Sequence, residues 1–238
     1  MKAAIYLAAC WASSAFALVQ HDWSFERIPD SGLNDITFSF NVADAPRDTG
    51  FYFAQQFSFE NNSEVAYTGI QPQSDVNGAK AIRAIFSTFQ DGAMSRDPNC
   101  YKGADGGPGV SCAVLITGDY ASTYNIRVTH VWVRTWRGTI INTSNGQETR
   151  IGQWTLPNVG RIENGQAGFV EYFPWNSMPS HECSNLPKTQ VTFFNPTSRT
   201  HGASGGKIRK PYENQGCKGQ VDFAVDSVDN GWKVQVGF

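Results

Sequence analysis

The sequence predicts an all-β protein, an antiparallel β-sandwich of the concanavalin-like or jelly-roll kind with about a dozen strands. Three observations carry this. Apolar and polar residues alternate with a period of two through most of the chain, the pattern of half-buried antiparallel strands. Clusters of Gly, Asn, Asp and Pro separate the alternating runs, as turns require. No segment reads as an amphipathic helix longer than two turns.

The first segment is an address rather than a structural element. Lys2 precedes an apolar run, Ala3 to Ala17, that ends in Ala15-Phe16-Ala17. A basic start, a short apolar stretch and small residues at the end predict a secretory signal, cut after Ala17. The run is too short to cross a bilayer of roughly 30 Å. A rival lipoprotein box, Leu7-Ala8-Ala9-Cys10, has almost no hydrophobic region before it. Later stretches all fall short of the roughly 18 apolar residues of a membrane helix. The expectation is residues 1–17 as signal and residues 18–238 as one exported β-sandwich domain with no membrane span. No linker, charge run or internal repeat marks a boundary within it.

Strand signals follow in order. Ile36-Thr37-Phe38-Ser39-Phe40-Asn41-Val42 alternates cleanly. Phe51, Phe53, Phe57 and Phe59 share one face, with Gln55 between them. Ile82, Ala84 and Phe86 alternate with Arg83 and Ser87, and Tyr124, Ile126 and Val128 with Asn125, Arg127 and Thr129. Past Val128 the parity slips, so that Trp132, Arg134 and Trp136 fall on one face, and a bulge near Thr129-His130 explains it. Further strands are expected at Thr149–Leu156, Gly168–Phe173, Thr189–Asn195, Gln220–Asp226 and Trp232–Val236.

Without Cys10 the cysteine count is even: Cys100, Cys112, Cys183 and Cys217. In an exported chain this predicts two disulfides. The pairings Cys100–Cys112 and Cys183–Cys217 are favoured because each closes a Gly-rich local loop. Each such closure is worth roughly 3 kcal/mol by chain-entropy estimates. No pair has Cys-x-x-Cys spacing and no histidine lies at ligand spacing, so neither a metal nor another cofactor is expected. Asn61-Asn62-Ser63 and Asn142-Thr143-Ser144 are sequons, making Asn61 and Asn142 candidate glycosylation sites.

Composition excludes several functions. A 17 % charged fraction, 13 % aromatics and a formal charge of −2 fit neither a disordered chain nor a nucleic-acid binder. The small basic run Lys207-Ile208-Arg209-Lys210 reads as a solvated loop. The segment Gly103-Ala104-Asp105-Gly106-Gly107-Pro108-Gly109 lacks the following helix and lysine of a phosphate loop and reads as a turn inside a disulfide loop. His21, His130, His181 and His201 share no spacing, and Ser204 sits in no nucleophile elbow. Glu171 stands out. It is a carboxylate among aromatics in Gly168-Phe169-Val170-Glu171-Tyr172-Phe173, costly if it faces the core and useful if it lines a cleft. It is the candidate acid or base, with Glu148, Asp222 and Asp226 as partners by residue type alone. Trp132, Trp136, Trp154 and Tyr172, with Trp175 nearby, form the candidate ligand-binding aromatics, since exposed rings stack on sugar faces.

The ordered set Tyr67-Thr68-Gly69-Ile70-Gln71-Pro72, Ile85-Phe86-Ser87-Thr88-Phe89, Gly109-Val110-Ser111-Cys112, Tyr124-Asn125-Ile126-Arg127-Val128, Gly146-Gln147-Glu148-Thr149-Arg150-Ile151-Gly152, Phe169-Val170-Glu171-Tyr172-Phe173 and Cys183-Ser184-Asn185-Leu186-Pro187 resembles the secreted bacterial and fungal family named domain of unknown function 3472. The resemblance implies an extracellular β-sandwich. Members occur beside modules of polysaccharide-processing proteins, which points to glycans. The expectation is therefore a secreted, non-catalytic carbohydrate- or cell-wall-binding protein with polysaccharide as partner. A glycan-active hydrolase or lyase using Glu171, and an effector that binds a protein partner, stand beside it.

Overall fold

A computed structural model of the chain describes residues 17–178 and 181–238. Sixteen strands are seen among them: β1 (Ala17–Arg27), β2 (Asp35–Asn41), β3 (Phe51–Phe57), β4 (Ala66–Val76), β5 (Ala79–Thr88), β6 (Cys100–Ala104), β7 (Gly107–Thr117), β8 (Thr123–Trp132), β9 (Thr135–Asn142), β10 (Glu148–Thr155), β11 (Gln166–Tyr172), β12 (Thr189–Thr197), β13 (Ser204–Ile208), β14 (Tyr212–Glu213), β15 (Phe223–Val228) and β16 (Gly231–Val236). All the strand pairings are antiparallel. They form a nine-stranded sheet in the order β13-β1-β11-β3-β4-β5-β7-β6, with β14 also on β1, and a seven-stranded sheet in the order β10-β9-β8-β2-β12-β16-β15.

The expected sandwich is therefore present, with more strands than a dozen. The strands without a range in the sequence reading are β1, the interior strands β4, β7 and β9, and β6, β13 and β14 at the margins of the large sheet. Cys100–Ala104 and Ser204–Ile208 carry glycines that read as turn, yet each pairs along the rim of the larger sheet. β1 opens at Ala17, inside the expected signal, and its alternation of Val19, His21, Trp23 and Phe25 is a strand signature. The remainder of the expected signal lies outside the described residues. The parity slip after Val128 has two causes. The β8–β9 register shifts between His130 and Trp132, and a two-residue turn at Val133-Arg134 follows.

The core lies between the sheets. Trp23, Phe53, Phe57 and Phe86 from the large sheet meet Phe38, Phe193, Trp136 and Trp154 from the small one. The Phe86 and Trp154 rings stack at 4.5 Å across the gap, and Phe59 packs on both Trp136 (4.8 Å) and Trp154 (5.7 Å). Both favoured disulfides form, Cys100–Cys112 between neighbouring strands and Cys183–Cys217 between two loop segments. Gly152 on β10 is what lets the small sheet approach the first of them. A Cβ there would come within 2.4 Å of Cys112 Cβ and 2.6 Å of Cys100 Sγ. No helix among the described residues is long and apolar enough to cross a membrane.

The large sheet is also buried on part of its other face. Ala17, Tyr52, Ala54, Tyr67, Ile85 and Phe169 form a second, smaller cluster there. That is why β3 reads Phe-Tyr-Phe-Ala-Gln-Gln-Phe, apolar at both parities over its first half, where a one-faced strand would alternate.

The placement of the tryptophans gives a direct test. Trp154→Ala removes a ring fully enclosed by Phe59 and Phe86 and is expected to cost about 3–5 kcal/mol. Trp132→Ala removes a ring that is 74 % exposed and should stay within about 0.5 kcal/mol of the parent. Urea unfolding of the two variants checks both values.

Candidate active site

The parity of β11 decides the environment of Glu171. Val170 points into the core between the sheets. Glu171 and Phe169 therefore point to the opposite face, and in register Glu171 lies between Ala17 on β1 and Tyr52 on β3. Glu171 is 5 % exposed and Tyr52 is 3 % exposed. The ring of Tyr52 packs edge-on against Tyr67 (5.5 Å) and Phe169 (5.9 Å), and Tyr67 packs in turn on Phe89 (4.9 Å). These rings sit above a row of small residues: Ala54 on β3 lies opposite Gly69 on β4.

The polar groups of this face form a short series. Asn176 lies five residues beyond Glu171, in a 3-10 turn, Phe173–Ser177, that starts with Pro174 near its N-terminus. Its side-chain amide donates to Glu171 Oε1 at 2.7 Å. The Tyr67 hydroxyl donates to Asp105 Oδ2. Asp105 sits at the tip of the β6–β7 hairpin in the left-handed region (φ 47°), a conformation Asp tolerates better than most residues. The Tyr52 hydroxyl is buried and has no hydrogen-bond partner among the described residues.

Burial pushes the Glu171 carboxyl above its usual range. The Asn176 hydrogen bond partly opposes this and the nearby Asp105 charge adds to it. Burial also raises the Tyr52 and Tyr67 hydroxyls, so both stay protonated donors. Protonated Glu171 stabilises the fold at pH values below the ordinary carboxyl pKa, and that contribution is lost as pH rises through the elevated folded-state value.

A second buried polar pair lies on the inner face of the same sheet. The His21 ring on β1 has Gln55 Nε2 at 3.0 Å and Gln55 Oε1 at 3.2 Å from its Nε2 atom. Gly168 on β11 leaves the room for them, since a Cβ there would lie 2.2 Å from His21 Nε2. His21 is fully buried, packs on Phe193 at 4.6 Å, and has no partner for Nδ1 among the described residues. Burial lowers its pKa to about 4 from an ordinary 6.5, only partly offset by Gln55.

The other candidates from the sequence do not converge on this face. Trp136 and Trp154 are core residues, and Tyr172 is half-buried against Phe51 (5.0 Å) and Trp175 (5.7 Å). Trp132 alone of the four is strongly exposed, at the β8–β9 turn. Glu148 is on β10 of the small sheet and pairs with Arg127 at 2.8 Å. Asp226 belongs to β15 at the far edge of the small sheet, and exposed Asp222 precedes that strand. The carboxylate that Glu171 senses is Asp105, from the segment that reads as a turn. His130, His181 and His201 lie apart: His130 Nε2 is 2.9 Å from Val133 O, His181 stacks on Trp175, and His201 is exposed. Among the described residues no three His, Cys, Asp or Glu side chains group as a metal site. Asn61 and Asn142 both lie at turns, Asn61 exposed and Asn142 half-buried with its Oδ1 accepting from Ser144. Lys207 of the basic run pairs with Glu26 at 2.8 Å.

Tyr52, Tyr67, Asp105 and Asn176 escape a reading of the sequence that weighs Glu171 alone. One signal was present. Tyr52 lies on the parity opposite to Phe51, Phe53 and Phe57, so it shares the outward face that Glu171 takes on β11.

No protein-family model and no curated protein sequence matches the chain. Solved structures do resemble it in shape. Two are of scytalido-glutamic peptidase, one with a transition-state analog inhibitor and one with a peptide-based transition-state analog. They share 13 % and 14 % identity with this chain, cover 94 % of it and 100 % of their own length, and have TM-scores of 0.49 and 0.47. A third is SCP-B of the eqolisin family of peptidases, in complex with the tripeptide Ala-Ile-His. It shows 12 % identity, the same coverage and a TM-score of 0.44.

The expectation of a non-catalytic carbohydrate- or cell-wall-binding protein is corrected here. A sugar platform needs exposed rings, and the indoles of Trp136 and Trp154 are consumed in joining the sheets.

Two expectations follow for titration. Asn176→Ala deletes the contact that favours the Glu171 carboxylate, so the Glu171 pKa rises further, and ¹³C NMR of glutamate-labelled protein reads the shift. For His21, the unfolded chain takes up its proton near pH 6.5 and the folded chain only near pH 4. The contribution of neutral His21 is complete above pH 6.5 and falls away as pH drops toward 4, by about 3 kcal/mol. His21→Leu should flatten that part of the pH dependence in urea titrations between pH 7 and pH 4.

Proposed function

We propose that the chain is an exported hydrolase that cleaves acyl bonds of peptides at acidic pH, with Glu171 as the proton-transferring residue. The carrying observation is the buried Glu171 carboxyl, raised by burial and held by the Asn176 amide, with the unpartnered Tyr52 hydroxyl beside it in register. A carboxyl tuned upward is matched to proton transfer in weakly acidic solution. Two disulfides fit an oxidising compartment.

The chemistry needs one titrating group and neutral donors. Ionised Glu171 takes a proton from a water molecule as the water oxygen bonds to the carbonyl carbon. The Tyr52 hydroxyl donates to the oxyanion that forms. Glu171 then returns the proton to the leaving amine as the carbon–nitrogen bond breaks, which yields an acid and an amine. Asn176 orients the carboxyl. The proposal favours acyl over glycosyl transfer because the second carboxylate, Asp105, is engaged by Tyr67 and the large aromatic rings of the face are packed against one another.

Incubation of the purified protein with an unfolded protein substrate between pH 3 and pH 6, followed by mass spectrometry of the products, tests this. Peptide products are expected from the parent chain, and Glu171→Gln should lower their rate by at least about 10³-fold. Tyr52→Phe should reduce kcat by about 10²-fold with little change in KM. Absence of cleavage across that range, or undiminished cleavage by Glu171→Gln, sinks the assignment.

A further inference from the structure

The register of the large sheet carries the Glu171 row further across the strands. Glu171 pairs with Tyr52, Gln71 with Arg83, and Arg83 with Leu115. Tyr52 and Gln71 are in line because Phe53 faces Ile70 one step along. On β5, Ile82, Ala84 and Phe86 belong to the core between the sheets, while Ile85 belongs to the outer cluster. Arg83 therefore points to the same face as Glu171. It makes no ion pair or side-chain hydrogen bond among the described residues, whereas Arg47, Arg127 and Arg150 are each paired to a carboxylate. Leu115, beside it on β7, is 49 % exposed.

The distance fits an extended chain laid across the strands. Three strand spacings separate β11 from β5, roughly 14 Å at about 4.8 Å each. An extended peptide rises about 3.3 Å per residue, so this is about four residues. At the Glu171 end the local charges are the carboxyl itself and Asp105, so an acidic side chain is disfavoured there.

We propose that Arg83 is a specificity-determining residue that selects peptides with an acidic side chain about four residues from the cleaved bond. The inference deepens the hydrolase reading and rests on it for the word "cleaved", although the binding preference stands without it. Beyond the acidic residue, Leu115 offers apolar surface for the next side chain.

Two measurements with one set of labelled peptides separate the two ideas. The peptides carry Asp, Asn or Lys four residues to either side of a common central bond. Cleavage at pH 5 by the parent chain should favour the Asp peptides over the Asn peptides by about fivefold in kcat/KM for one placement. Arg83→Gln should abolish the preference, and Arg83→Glu should reverse it toward Lys. Binding of the same peptides to Glu171→Gln protein, followed by fluorescence anisotropy, should show the same order with no turnover. If no peptide is cleaved yet Glu171→Gln protein prefers Asp through Arg83, the hydrolase reading falls and the Arg83 site stands. If peptides are cleaved or bound with no difference among Asp, Asn and Lys, or if Arg83→Glu leaves the order unchanged, the Arg83 inference is overturned.

Discussion

Everything on the outer face depends on how the inner faces are glued. The seam is aromatic: Phe86 stacked on Trp154, Phe59 against Trp136 and Trp154, and Trp23 against Phe38 at 5.3 Å. Its indoles give up hydrogen bonding to do this, since the Trp136 and Trp154 Nε1 atoms are buried without partners among the described residues. An unpaired buried donor costs about 1–3 kcal/mol, so the apolar burial and ring contacts of the seam must exceed that twice over. With the inner face so occupied, the large sheet can hold a second cluster on its back without losing its place in the sandwich.

That two-sided burial explains what could and could not be read from the sequence. Strands such as β2 and β8, with one apolar and one polar face, alternate plainly and were legible. The disulfides were legible too, because each closes a local loop between residues in an exported-type chain. Glu171 was legible as an oddity, a carboxylate among aromatics. Its surroundings were not. Tyr52, Tyr67 and Asp105 come from three different elements, and only the strand order β11-β3-β4 and the turned-back tip of the β6–β7 hairpin bring them together. Long-range register has no local signature. The same blindness affected the tryptophans, since Trp132 and Trp136 share a sequence parity but a tight turn at Val133-Arg134 sends one to solvent and the other to the core.

The two buried titrating groups act on stability in opposite directions, and their placement on opposite faces keeps them apart. Neutral His21 stabilises the fold at neutral pH and its contribution declines on acidification. Glu171 does the reverse, because its protonated form is the one the buried site accepts. Acidification therefore protonates Glu171 and weakens the His21 contribution together. The disulfides and the aromatic seam do not titrate, and they are what carries the fold through that range. Replacing His21 by an apolar residue would then widen the acid side of the stability profile without touching the outer face.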